Sequence, residues 1–137
     1  MNETMTIKWI DFDQAIRIQL LTDRAPALCA AIAKALPLRS ISWHSVISGE
    51  NVGFPLPVVW TAVDNPSPRR RGDVFFYANG QLGIIPYGVT TEPGLVNVFG
   101  RVFPDDLEAV SQIGRAVATS FQQSTGNPYF VELKIVR

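Results

Sequence analysis

Apolar residues fall on every second position twice near the start of the chain. Met5, Ile7 and Trp9 alternate with Thr6 and Lys8, and Ile16, Ile18 and Leu20 alternate with Arg17 and Gln19. A period of two puts successive side chains on opposite faces, so two half-buried strands are expected, joined around Asp11-Phe12-Asp13-Gln14. At Thr22-Asp23 the period lengthens. Pro26 suits a first helical turn, and Leu28, Cys29, Ile32 and Leu36 recur at helical spacing until Pro37 stops them. Thr22 or Asp23 can cap the first N–H groups, and Lys34 lies near the negative end of the helix dipole.

The period returns to two at Ser40. Ile41 and Trp43 are expected to face inward and Ser42 and His44 outward, with Ser48-Gly49-Glu50-Asn51 turning into a returning run Val52–Leu56. Pro55 and Pro57 each remove a ladder donor, which marks that run as an edge or an irregular segment. Beyond the loop Asp64–Gly72, the runs Asp73–Tyr77 and Leu82–Ile85 flank Ala78-Asn79-Gly80-Gln81, and Asn-Gly is a strong hairpin signal. Leu95–Phe103 alternates again, with Val96, Val98 and Val102 expected inward and Leu95, Asn97, Phe99 and Arg101 outward. Leu107, Val110, Ile113 and Val117 form a helical stripe that Thr125-Gly126-Asn127-Pro128 would stop, and Tyr129–Val136 closes the chain as a strand. About eight short strands with two helices predict a mostly-β antiparallel barrel or sandwich, because parallel strands would need a helix at most crossovers. Closure into a barrel also removes exposed strand edges.

At 137 residues the chain fits one domain, taken as 1–137. Apolar residues make up 47% of it and charged residues 18%, which supports a packed core rather than a disordered tail. Twelve basic residues balance twelve acidic ones, so no net field would gather nucleic-acid phosphate or an anionic membrane. Neither nucleic acid nor membrane is expected as a partner. The run Arg69-Arg70-Arg71 beside prolines reads as a solvated loop, with anion binding as the alternative. Cys29 is the only cysteine, which excludes an internal disulfide and thiolate-rich metal sites; within Ala27–Ile32 it reads as a buried, inert thiol in a reducing compartment. The opening residues lack a secretory leader and no apolar run approaches ~20 residues, so a cytoplasmic location is the expectation.

The segment Leu20-Leu21-Thr22-Asp23-Arg24-Ala25-Pro26 leading into a helix resembles the strand-to-helix entry of the cyclophilins. The later order is more specific: Trp43-His44-Ser45-Val46-Ile47-Ser48-Gly49-Glu50, then Gly72-Asp73-Val74-Phe75-Phe76-Tyr77, then Val96-Asn97-Val98-Phe99-Gly100-Arg101-Val102. From Ile16 onward this is similar to the small bacterial and archaeal cyclophilin-like families, several of them functionally uncharacterised. The resemblance implies a closed eight-stranded antiparallel barrel with helices at its ends. Prolyl isomerases carry Phe-His-Arg and Gln-Gly-Gly-Asp segments. Here only His44 matches the first and nothing matches the second, which sets isomerase activity behind the other readings. The barrel of cucumopine synthase is similar in kind and condenses an amino acid with a keto acid, so such a fold can host metabolic chemistry.

The candidate chemistry follows from residue types. His44 is the only histidine and the only side chain of a type that ordinarily titrates near neutrality, which makes it the candidate general acid or base, with Glu50 as its partner. On the face expected to be outward, Arg101 could clamp an anion, Asn97 could orient it and Phe99 could stack on it; Tyr77 and Tyr87 could supply phenol donors at the mouth of the same groove. No His-Glu-x-x-His, glycine-rich phosphate loop or Gly-x-Ser-x-Gly elbow occurs, so neither metal nor cofactor is expected. The leading reading is a cofactor-independent enzyme acting by acid–base chemistry on a carboxylate- or amide-bearing metabolite. The alternative is a non-catalytic domain that binds a metabolite or peptide. Phe54–Val59 is the candidate face for a homodimer.

Overall fold

The computed structural model describes residues 3–122 and 128–136. Its strands, in chain order, are β1 (Thr4–Trp9), β2 (Gln14–Leu20), β3 (Leu38–Ile41), β4 (Trp43–His44), β5 (Gly49–Pro55), β6 (Pro66–Pro68), β7 (Asp73–Tyr77), β8 (Leu82–Thr90), β9 (Leu95–Val102) and β10 (Phe130–Val136). Helix α1 (Pro26–Lys34) follows β2 and helix α2 (Leu107–Gln122) follows β9. The expected architecture holds, as a mostly-β antiparallel sheet nearly closed into a barrel, but with ten strands among the described residues rather than eight. The additional pieces come from a bend that divides β3 from β4 and from β6, which lies within the stretch expected to be a loop. That short strand pairs with β9 through Pro66↔Asn97 and Pro68↔Leu95, and its prolines are tolerated because it lies outside the main path of the sheet.

The strands run in the order β3-β10-β1-β2-β9-β7-β8-β5-β4. Its two ends are consecutive in sequence, and this is what closes the barrel. Leu38–Ile41 pairs with β10, the chain bends at Ser42, and Trp43-His44 pairs with β5. Ser42 secures the bend from both sides: its N–H donates to the Tyr129 carbonyl at 2.8 Å and its Oγ accepts the Trp9 indole N–H at 2.9 Å. Ser40 Oγ donates to the Pro55 carbonyl across the remaining gap at 2.9 Å. Inside lie Met5, Ile7, Trp9, Ile16, Ile18 and Leu20, all fully buried, as the alternation of β1 and β2 required. Helix α1 starts with Pro26 in its first turn, but Ala25 occupies the cap position and no side chain caps it. The expected Thr125–Asn127 stop of α2 lies outside the described residues.

Two facing assignments are reversed. Ser42 and His44 point inward and are buried, while Ile41 is exposed and Trp43 packs on the outer face beside Phe75, Ile84 and Val98. A polar residue can face inward at little cost where its groups find partners, and both of these do. In β9 the register with β7 slips between Val74 and Phe75, leaving Phe99 as the extra residue of a bulge. A bulge changes which face each side chain meets. Phe99 is therefore fully buried in the core, while Val98 belongs to the outer cluster. The Phe54–Val59 segment continues from β5 with alternate residues facing inward. Phe54, Leu56 and Val58 fill the core, while Val59 is exposed.

One surface contact has a readable pH signature. Arg17 grips Asp106 with Nε on Oδ2 at 3.0 Å and Nη2 on Oδ1 at 3.2 Å, while its backbone N–H adds a bond to Oδ2 at 2.8 Å. These contacts hold the Asp106 carboxyl below its ordinary 3.8, the Arg17 side chain being the largest cause. A carboxyl with a depressed folded pKa stabilises the fold above its unfolded pKa and loses that contribution as pH falls through the folded value. Denaturant melts between pH 5 and 2 should therefore show a shallower acid loss in Asp106→Asn than in the parent. Equal slopes would show that solvent screens the pair completely.

Candidate functional site

Helix α2 lies against the end of the barrel where β4, β5 and β8 meet, and its buried Val110, Ile113 and Val117 continue the core. At this junction a cavity of about 530 Å³ is lined by residues that include His44, Ser45, Glu50, Tyr87, Arg115 and Thr119. The sequence candidates His44, Glu50 and Tyr87 meet here.

His44 and Tyr87 form the floor. The Tyr87 hydroxyl is 2.6 Å from His44 Nε2, and His44 Nδ1 is 2.7 Å from the Ser45 carbonyl. A carbonyl oxygen only accepts, so Nδ1 must carry the hydrogen. In the neutral imidazole Nε2 is then a lone pair, and the phenol donates to it. Geometry thus selects one tautomer. Burial, followed by the charge of Glu50, pushes the Tyr87 hydroxyl up to about 12. It is a phenol at neutral pH, held by an acceptor that can take its proton.

Local sequence explains the placement. The Tyr87 ring lies against α2 at Gly114, where a Cβ would collide with the ring, and its carbonyl accepts Ser111 Oγ at 2.9 Å and Arg71 Nε at 3.2 Å. Arg71 also donates to Ser111 Oγ at 2.9 Å. Glu50 opens β5 rather than sitting in a turn; it crosses Gly88, where any Cβ would meet its carboxylate, and its Oε1 accepts the Val89 N–H at 2.8 Å. Its other oxygen has no hydrogen bond among the described residues.

The remaining candidates lie elsewhere. Asn97 is occupied by the chain itself: its Oδ1 accepts the N–H groups of Asp64 and Asn65, each at 3.1 Å, and its Nδ2 donates to the Ala62 carbonyl at 3.1 Å. Arg101 bonds the buried Asp73 at 3.1 Å on the outer face of the barrel, away from the cavity. Phe99 is in the core. Tyr77, about half exposed, lines a separate outer groove of about 290 Å³ with Trp43, Phe75, Leu82 and Ile84. Arg69 closes that groove, its guanidinium over the Phe75 ring and paired with Glu92 at 3.2 Å, so the arginine run is solvated only in part. Sequence reasoning missed Arg115 and Thr119 because α2 was read for its apolar stripe alone. The signal available was Gly114, which costs about 1 kcal/mol relative to alanine within a helix and so implies a close neighbour. No cluster of metal-ligating side chains occurs among the described residues, and no helix there is long and apolar enough to cross a membrane.

Fold and site together define a nearly closed antiparallel β-barrel with a polar cavity under its second helix. The chain belongs to the DUF3830 family, a family of proteins of unknown function whose model matches residues 7–101. Among solved structures it is similar to McbB in complex with tryptophan, at 25% identity and a TM-score of 0.87 over 95% of this chain. That overlap covers 44% of McbB, so the chain spans less than half the length of that relative. It also shares its fold with the hypothetical protein AF2241 from Archaeoglobus fulgidus, at 18% identity and a TM-score of 0.65, with 97% of this chain and 94% of that one covered. No curated protein matches the sequence significantly.

Proposed function

We propose that this protein is a small-molecule enzyme acting by acid–base chemistry, without a cofactor, on a carboxylate- or amide-bearing metabolite held in the cavity beneath α2. The observation that carries this reading is the hydrogen bond from the Tyr87 hydroxyl to His44 Nε2 in the cavity lining. A buried phenol bonded to a neutral imidazole is a proton relay. The phenolic oxygen takes a proton from the substrate as the hydroxyl passes its own to Nε2, leaving Tyr87 a phenol and His44 an imidazolium. The reverse transfer returns a proton to the intermediate. Because burial pushes the Tyr87 hydroxyl up to about 12, this joint transfer is preferable to a free phenolate. Glu50 lines the same space, and its charge acts on the Tyr87 hydroxyl.

McbB, with its similar fold, was solved with tryptophan, which supports a small amphoteric molecule as ligand and supplies a first probe. Tryptophan and a panel of amino and keto acids should be screened by thermal shift and by the ring signals of the single histidine. A true ligand raises the melting temperature, by the equivalent of about 2.7 kcal/mol at a hundred times Kd, and moves the His44 signals. A ligand that stabilises the protein without touching those signals would place the site elsewhere.

A further inference from the structure

Ser111, Gly114, Arg115, Ala118 and Thr119 share one face of α2, spaced as helical neighbours three and four apart. The first two seat Tyr87: Ser111 Oγ donates to its carbonyl and Gly114 receives its ring. The other three line the cavity. The contacts that fix the phenol therefore also fix where the Arg115 backbone stands relative to it.

Arg115 is the one arginine that lines this cavity among the described residues. Arg17, Arg39, Arg69, Arg71 and Arg101 each have a carboxylate within 4.0 Å, whereas Arg115, like Arg24 and Arg70 outside the cavity, has neither ion pair nor side-chain hydrogen bond among the described residues. It is exposed along the cavity wall, and its positive charge is felt at the Tyr87 hydroxyl, where it opposes Glu50. Thr119 Oγ1 donates to the Arg115 carbonyl at 3.0 Å. Arg101, the anion clamp expected from sequence, is bonded to Asp73.

We propose that Arg115 is the anion anchor of this cavity, binding a monocarboxylate ligand through its guanidinium and so bringing the group beside that carboxylate within reach of the His44–Tyr87 pair. The inference rests on the reading of the cavity as a small-molecule site. A guanidinium fork matches a carboxylate through two parallel hydrogen bonds, which an ammonium cannot reproduce. Glu50, on the same cavity wall, repels a second anionic group, so monocarboxylates are preferred to dicarboxylates.

The test is a titration of histidine-labelled protein with benzoate, benzamide, tryptophan and tryptamine, comparing the parent with Arg115→Gln and Arg115→Lys. The carboxylates should move the His44 ring signals more readily than their uncharged or amine counterparts. Arg115→Gln should weaken carboxylate binding at least about tenfold at an unchanged melting temperature, and Arg115→Lys should restore it only in part. Carboxylates that bind Arg115→Gln as well as the parent while still moving the His44 signals would overturn the anchor and leave the site standing. If no carboxylate moves those signals in the parent, the small-molecule reading and the anchor fall together.

Discussion

Replacing Tyr87 by phenylalanine will lower turnover by about 10²- to 10⁴-fold once a substrate is in hand, while the barrel still folds. The ring keeps its seat against Gly114, so packing is retained and only the hydroxyl is lost. What disappears is the donor to His44 Nε2, a bond of 2.6 Å at a histidine that is 7% exposed. The loss leaves a buried acceptor without that donor, at a cost of about 1–3 kcal/mol, visible as a lower denaturation midpoint with an unchanged m-value. The chemical effect is larger than the structural one. Without the hydroxyl, His44 has no proton to receive from Tyr87. Activity retained within a factor of a few would remove Tyr87 from the mechanism and leave it a packing residue.

Gly114→Ala should have the second large effect, on stability and on the site together. Alanine normally favours a helix over glycine by about 1 kcal/mol, so an exposed helical glycine would gain from the change. Here the new methyl would be driven into the ring of Tyr87, which is 2% exposed and has little room to retreat. Overpacking costs about 1–3 kcal/mol, and a displaced ring would also break the bond to His44, adding about 1–3 kcal/mol. These terms outweigh the helix gain and leave a net loss of about 3 kcal/mol, measurable in a urea melt alongside Tyr87→Phe. Because both changes act through one hydrogen bond, the double variant should lose less than the sum of the singles. A Gly114→Ala protein more stable than the parent would show that α2 shifts freely over the barrel.

The alternation of β1 and β2, the helical spacing from Leu28 to Ile32 and the stripe from Leu107 to Val117 predict those strands and helices where they occur, while the strand count leaves an antiparallel barrel or sandwich and the resemblance to cyclophilin-like proteins implies the barrel. Those features are local, and local periodicity reports burial directly. Facing failed where a nonlocal event intervened. The bulge at Phe99 depends on register with β7, and the inward turn of Ser42 and His44 depends on Trp9 and Tyr87, far away in sequence. The site was legible to the same extent. His44 stood out as the lone histidine and Glu50 as its near neighbour, but the groove expected from Asn97, Phe99 and Arg101 dissolves. Asn97 is tied to the loop at Asp64, Phe99 is in the core, and Arg101 is bonded to Asp73. Arg115 could be placed only once α2 was seen against the end of the barrel.

The position of the proton on His44 is the most direct test of the relay. Because the chain has one histidine, ¹⁵N-histidine labelling gives a single pair of ring nitrogens. At a pH where the ring is neutral, Nδ1 should be protonated and Nε2 unprotonated and acting as hydrogen-bond acceptor, with the Nε2 resonance shifting in Tyr87→Phe. A proton found on Nε2 instead, or an Nε2 resonance identical in the two proteins, would contradict the relay.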